Sequence, residues 1–265
     1  MDWFMIKRIC SLIIIFIAFN LSGCATQVTE TDTEASKSIP LEYLTLGKFD
    51  IRPSWEKASV YLPGKFLPTN ISAIESSGER DVVVFLHGCG GIKNDEIGWS
   101  KFFANLGYVV VLPDSFAIKG RPLNCNATST TPTTGAIGIH DLMNMRIREF
   151  RLASEKLRLM KNIRKIFVVG FSEGGAVANM LHNPSLFDGV VSISSYCISP
   201  AATPKQIPVL TIDFETDPWF RMKNMCKNKY QDHEKYTQVI LTGNGHSAFP
   251  NKIAEESMKK FLSER

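Results

Sequence analysis

Seven short apolar runs set the tightest limit on what this chain can fold into. They span Ala58 to Pro63, Asp81 to Gly88, Tyr108 to Asp114, Lys165 to Ser172, Gly189 to Ser195, Ile207 to Asp213 and Thr237 to Gly243. Most carry consecutive Val and Ile residues without polar alternation, the pattern of strands buried on both faces. Between them lie helix candidates at 98–106, 139–161, 175–182 and 250–263. In the second of these, Ile139, Met143, Ile147, Phe150, Leu157 and Met160 fall at helical spacing. Strand and helix take turns, which predicts an α/β fold with a mostly parallel central sheet and helices on both faces. Functional sites of such sheets lie beyond the carboxyl ends of the strands. At 265 residues and 44% hydrophobic content the chain can bury one good-sized core, and no internal repeat is evident.

The N-terminus does not share this pattern. Lys7 and Arg8 precede an apolar run from Ile9 to Leu21, which is too short to span a bilayer comfortably and has the form of an export signal. The run ends in Leu21-Ser22-Gly23-Cys24, which resembles the lipobox of bacterial lipoproteins. The resemblance implies cleavage before Cys24 and thioether linkage of its sulfur to diacylglycerol. Ala25 at the second mature position resembles the pattern that sends such proteins to the outer membrane, facing periplasm or surface. Next comes a stretch rich in Thr, Ser and Glu with almost no large apolar residue, unable to bury enough surface to fold. The expected organisation is a lipoprotein signal peptide over 1–23, a flexible tether over 24–40 and one catalytic-size domain over 41–265.

The formal net charge is +4, and the 30 basic residues form no long runs, which argues against a nucleic-acid partner. Of six cysteines, Cys10 leaves with the signal and Cys24 would be acylated. Cys89, Cys125, Cys197 and Cys226 remain, in an oxidising compartment. Four cysteines allow three pairings. Cys89 with Cys125 and Cys197 with Cys226 is the favoured set, because each bridge would tie together loops that follow neighbouring strands.

The segment Val168 to Gly175, VVGFSEGG, sets Ser172 between glycines, straight after a Val-rich run and just before a helical pattern. Gly170, Ser172 and Gly174 satisfy G-x-S-x-G in the strand-to-helix context that the motif requires. Such a corner needs strained dihedrals, tolerated where neighbouring side chains are absent, and it lifts the hydroxyl clear of the sheet. The following helix starts with free N–H groups, and the one on Glu173 would point at a developing oxyanion. A serine hydroxyl alone is a poor nucleophile near neutral pH, so a base and an orienting acid must come from elsewhere in the chain.

From about residue 58 onward the chain resembles the α/β-hydrolase superfamily, which presents nucleophile, acid and histidine in that order. The resemblance implies that His246, in the loop beyond the last strand, is the base. Of the five histidines, His182 and His233 follow no strand, and His87 and His140 precede the serine. Asp213, Glu215 and Asp217 all follow the Ile207 to Asp213 run and are candidates for the acid. The superfamily often sets its acid as Asp-Pro a few residues into this loop, which selects Asp217. Asp213 then reads as a cap on loop N–H groups. Trp219 either lines the pocket or anchors the core. His87-Gly88-Cys89-Gly90-Gly91 looks like the superfamily's second oxyanion loop, with the N–H of Cys89 as donor and His87 as a brace.

Within the superfamily, FLHGCGG, Trp99, LGYVVVLPDSFA, GRPLNC and VVGFSEGG together resemble compact bacterial members of the dienelactone hydrolase family. The enzymes that give that family its name use a cysteine nucleophile, whereas this chain has Ser172. The resemblance therefore implies carboxylic ester hydrolysis rather than cleavage of dienelactone. Only about a dozen residues join Ser195 to Ile207, too few for a helical cap, so cover over the site is expected from the loop at 120–138. A shallow site suits short acyl groups or exposed esters on a larger substrate such as an envelope polysaccharide. No helical zinc motif or dinucleotide glycine fingerprint occurs, so neither a metal nor another cofactor is expected. Two rivals remain: a serine peptidase of the prolyl-oligopeptidase type, and a binding lipoprotein that uses a hydrolase fold without catalysis.

Overall fold

A computed structural model describes residues 48–122, 125, 136–197, 203–219 and 225–264. The signal peptide, Cys24, the tether and most of the 120–138 loop lie outside the described residues. The strands are β1 (Ser59–Tyr61), β2 (Arg80–Leu86), β3 (Val109–Leu112), β4 (Ile163–Phe171), β5 (Gly189–Ile193), β6 (Val209–Thr216) and β7 (Tyr236–Asn244). Each coincides with one of the seven apolar runs. They form one sheet in the order β1-β3-β2-β4-β5-β6-β7. β1 pairs antiparallel with β3, and every other pairing is parallel.

The helices are α1 (Arg52–Glu56), α2 (Asn94–Asn105), α3 (Ala136–Arg158), α4 (Glu173–Ala178), α5 (Met225–Lys229) and α6 (Lys252–Ser263). Alternation along β2 shows how they cover the sheet. Val82, Val84 and Leu86 face a cluster with Leu142, Phe150 and Leu157 of α3, whereas Val83 and Phe85 face Trp99 and Phe103 of α2 and Phe261 of α6. Both faces are thus dry, as the unbroken Val runs require.

Boundaries differ from the periodicity reading by three residues or more at three helices, and α6 begins two residues later than 250, at Lys252. α2 begins four residues before 98, because the Glu96 carboxylate reaches back to the Lys93 N–H at 2.9 Å and closes its first turn. α3 spans 136–158 rather than 139–161, since the chain must reverse after Arg158 to enter β4 at Ile163, so the end of the expected loop is already helical. α4 starts directly at the serine corner and stops at Ala178, short of 182. The short α1 and α5 gave no periodic signal of their own.

β2 sits between β3 and β4, so the connections after β2 and β4 diverge to opposite sides at the carboxyl edge. That divergence opens a crevice between the two loops that the sequence marks, His87–Gly91 and the Ser172 corner. Phe150 is fully buried against Phe187, with ring centroids 5.9 Å apart. Phe150→Ala is expected to lower stability by about 3–5 kcal/mol in urea denaturation. A loss below about 1 kcal/mol would contradict this account of the packing.

Candidate active site

Ser172 lies between β4 and α4 with φ 54° and ψ −114°, in a region that side-chain-bearing residues rarely adopt. Such a conformation costs about 1–3 kcal/mol and persists only where its surroundings impose it. Here the Ser172 N–H donates to the Ile193 carbonyl at 2.9 Å. Its own carbonyl accepts from Ser195 Oγ at 2.8 Å and from the Ala176 N–H at 3.1 Å. The flanking glycines are there for space. A Cβ on Gly170 would strike the Gly174 carbonyl, one on Gly174 would strike the Leu86 carbonyl, and one on Gly175 would lie 2.6 Å from Ser195 Cβ.

The structure brings the predicted partners to this hydroxyl from two other strand ends. His246, in the loop after β7, places Nε2 3.0 Å from Ser172 Oγ. Asp217, after β6, places Oδ2 2.8 Å from His246 Nδ1. A carboxylate only accepts, so Nδ1–H donates to Asp217 and Nε2 is left to accept from the serine O–H. The remaining Asp217 oxygen, Oδ1, accepts the Trp219 N–H at 2.8 Å, which closes the Asp-Pro-Trp turn. The imidazole lies between two rings, Phe171 at 5.1 Å and Trp219 at 5.5 Å, the latter stacked. Trp219 is 37% exposed, which makes it a wall of the site and not a core anchor.

The other two candidate acids do not follow the strand as expected: β6 runs on to Thr216, so Asp213 and Glu215 lie within it, and each is occupied differently. Glu215 is exposed and accepts the Gly243 N–H at 2.9 Å. Asp213 accepts the Ser195 N–H at 3.4 Å, the loop-capping role expected for it. Burial pushes the Asp213 carboxyl up to about 6, with the charge of Asp217 adding to the rise.

The His87–Gly91 loop packs against the serine: a Cβ on Gly88 would lie 3.2 Å from the Phe171 ring and 3.4 Å from Ser172 Cβ. Cys89 is bridged to Cys125, and Cys197 to Cys226. His87 is fully buried, with Nδ1 2.7 Å from the Gly88 carbonyl and Nε2 accepting the Ser115 N–H at 3.2 Å. Burial and the neighbouring Arg146 hold it well below the usual histidine range, so it is a neutral brace that donates through Nδ1. Glu173, the first residue of α4, has an N–H without an intrahelical acceptor.

Sequence reasoning missed the supports behind these loops. Glu96 Oε1 accepts the Gly88 N–H at 3.1 Å. Glu173 Oε1 accepts from Arg121 Nη2 at 2.6 Å and from Arg146 Nη1 at 2.9 Å, all three side chains being almost fully buried. Arg121 falls in a stretch with loop composition and Arg146 in a helix read for its apolar face. The available signal was two arginines in segments that must pass close behind the site. A separate cavity of about 490 Å³, lined in part by Phe49, Met145, Leu181 and Phe187, includes none of these residues.

A sequence profile of the dienelactone hydrolase family matches residues 70–262. The chain belongs to that family. No curated protein matches the sequence. Among solved structures, Est1E from Butyrivibrio proteoclasticus is 10% identical, with 78% of this chain and 93% of that chain covered at a TM-score of 0.54. The esterase PE8 is 18% identical, with 77% and 96% covered at 0.56. XC6422 from Xanthomonas campestris, described as a serine hydrolase without lid, is 14% identical, with 78% and 88% covered at 0.53. At these identities the likeness establishes the α/β-hydrolase fold.

Asp213 supplies a pH test of this geometry. Its carboxyl is held near 6 in the fold, above an ordinary value of 3.8, so the folded state binds that proton more tightly than the unfolded chain. The contribution to stability is full below about pH 4 and is lost as pH rises through about 6. Asp213→Asn is expected to flatten the stability profile across that window relative to wild type, measured by denaturation at stepped pH. Parallel profiles would refute the assignment.

Proposed function

We propose that this chain is a serine hydrolase that cleaves carboxylic esters through an acyl-enzyme. One observation carries the reading: the unbroken line from Ser172 Oγ through His246 to Asp217 Oδ2, with steps of 3.0 and 2.8 Å. As Ser172 attacks the ester carbonyl, His246 Nε2 takes the hydroxyl proton while Asp217 holds the tautomer and orientation of the ring. The tetrahedral oxyanion forms between the N–H groups of Glu173 and Cys89. His246 then protonates the leaving alcohol, and water hydrolyses the acyl-enzyme with the same base. The half-exposed Trp219 beside the imidazole and the short Ser195 to Ile207 connection favour short acyl groups or esters displayed on a larger molecule, such as an envelope polysaccharide.

Ser172→Ala is expected to lower kcat on short aryl esters by on the order of 10⁵-fold, and Asp217→Asn by about 10⁴-fold, with thermal stability retained. A fluorophosphonate probe should label wild type at Ser172, and acyl-chain selectivity should fall beyond a few carbons. Equal ester cleavage by wild type and Ser172→Ala would end the proposal. Lack of labelling would favour a binding protein, and amide cleavage without ester cleavage would favour a peptidase.

The domain is further proposed to work at the cell envelope on a lipid anchor at Cys24, at the end of an apolar leader and ahead of a polar tether. Full-length protein made in a Gram-negative host should partition into detergent phase, and Cys24→Ala into the aqueous phase. Identical partitioning of the two would refute the anchor.

A further inference from the structure

We propose that Arg146 is a positioning residue that holds both halves of the oxyanion site in register through one buried guanidinium. The inference rests on the serine-hydrolase reading and concerns how its two N–H donors are aimed. Arg146 lies on α3, behind the sheet edge and wholly buried. Its Nη1 donates to Glu173 Oε1 at 2.9 Å, and its Nη2 donates to the His87 carbonyl at 3.0 Å. Glu173 carries one proposed donor, and His87 opens the loop that carries the other.

The His87 carbonyl and the Gly88 N–H belong to the same peptide plane. Arg146 grips that plane at the oxygen, while Glu96 Oε1 grips it at the nitrogen from 3.1 Å. The next plane joins the Gly88 carbonyl to the Cys89 N–H, and in a trans peptide these point in opposite directions. His87 Nδ1–H holds the Gly88 carbonyl at 2.7 Å, so it also sets where the Cys89 N–H points. The far side of that ring rests on Ser115, whose Oγ is 2.8 Å from His87 Nε2 and accepts from Arg121 Nε at 2.9 Å and Arg146 Nη1 at 3.2 Å. Two successive peptide planes are thereby fixed by groups that lead back to the same guanidinium.

Charge gives the cluster a second task. Glu173 places a carboxylate, itself almost fully buried, on the very residue whose N–H is to stabilise a negative oxygen. Left alone, that charge would oppose the developing oxyanion. Arg146 and Arg121 converge on Glu173 Oε1 and offset it. Arg146 also faces Glu149, with Nε 2.8 Å from Oε2. A guanidinium suits these tasks because its fork is planar and rigid, where an ammonium is a single point.

The test compares Arg146→Met, Arg146→Lys, Glu173→Gln and the double variant Arg146→Met with Glu173→Gln. Each is assayed for kcat and KM on a short aryl ester, and for inhibition by a trifluoromethyl ketone, which forms an oxyanion on the serine. Removing one oxyanion donor costs about 10²- to 10³-fold in kcat, so misaiming donors that remain is expected to cost about 10- to 100-fold in Arg146→Met. KM should stay within about threefold, and ketone affinity should fall in step with kcat. Glu173→Gln in the Arg146→Met background should recover at least about threefold in kcat by removing a charge that Arg121 alone would then offset. Should Arg146→Met fail to fold, Arg146→Lys decides, with an expected loss of about tenfold in kcat at unchanged KM. Wild-type kcat in a folded Arg146 variant, or a raised KM with unchanged ketone affinity, would overturn the inference. Ser172→Ala run alongside separates the two levels. Ester cleavage that survives it removes the serine reading and this inference together, whereas cleavage that is lost in it but normal in the Arg146 variants removes this inference alone.

Discussion

The whole arrangement depends on a backbone held where only glycine is comfortable. Ser172 adopts φ 54° because the chain must leave β4 and enter α4 with no intervening loop. The turn is closed by contacts that no larger neighbours would allow. Gly174 passes against the Leu86 carbonyl at the end of β2, and Gly175 passes against Ser195 beyond β5. Those approaches lock the serine to the two flanking strands. The hydroxyl then stands at a height above the sheet edge that loops after β6 and β7 can reach. His246 and Asp217 arrive from just those loops.

A second layer of order comes from buried charge. Ion pairs out of water add little net stability, since desolvation offsets most of the attraction, but they penalise every arrangement that leaves one member alone. In this protein the penalty falls on the loops that matter. Arg121, Arg146 and Glu173 join the segment after β3, the helix α3 and the residue following Ser172. Neutral His87 is drawn into the same network through Ser115. The polar groups behind the site are thus arranged to specify one geometry for the backbone of the His87–Gly91 loop and the start of α4. The Cys89–Cys125 bridge ties the same loop to a segment that follows β3.

Strand positions were legible because burial on both faces leaves a plain mark, an unbroken Val or Ile run such as Val82 to Leu86 or Val109 to Leu112. The corner at Ser172 was legible because strain and crowding both demand glycine at fixed offsets. His246 and a short set of acids, Asp213, Glu215 and Asp217, could be read once the superfamily's chain order was joined to strand ends. Helix limits were less legible. α2 starts early through a side-chain bond from Glu96 that has no periodicity, and α4 stops at Ala178, beyond which the Met180 and Leu181 N–H groups bond three residues back. Arg121 and Arg146 left only the faint mark of their place in segments that pass behind the site, since a buried arginine and a solvated one look alike until their partners are known.

By itself, the sequence determined the class of fold, the order of strands along the chain, the serine corner and the identity of the side chains able to serve it. These follow from local rules: hydrophobic period, glycine at positive or crowded positions, and loops after strands. Only the tertiary structure decided which acid meets His246, that Trp219 walls the site, and that five charged or polar side chains from distant segments, Arg121, Arg146, Glu173, His87 and Ser115, share one buried network behind the His87–Gly91 loop. Those outcomes depend on distances between segments far apart in the chain, and such distances exist only once the sheet has set its strand order and both of its faces are closed.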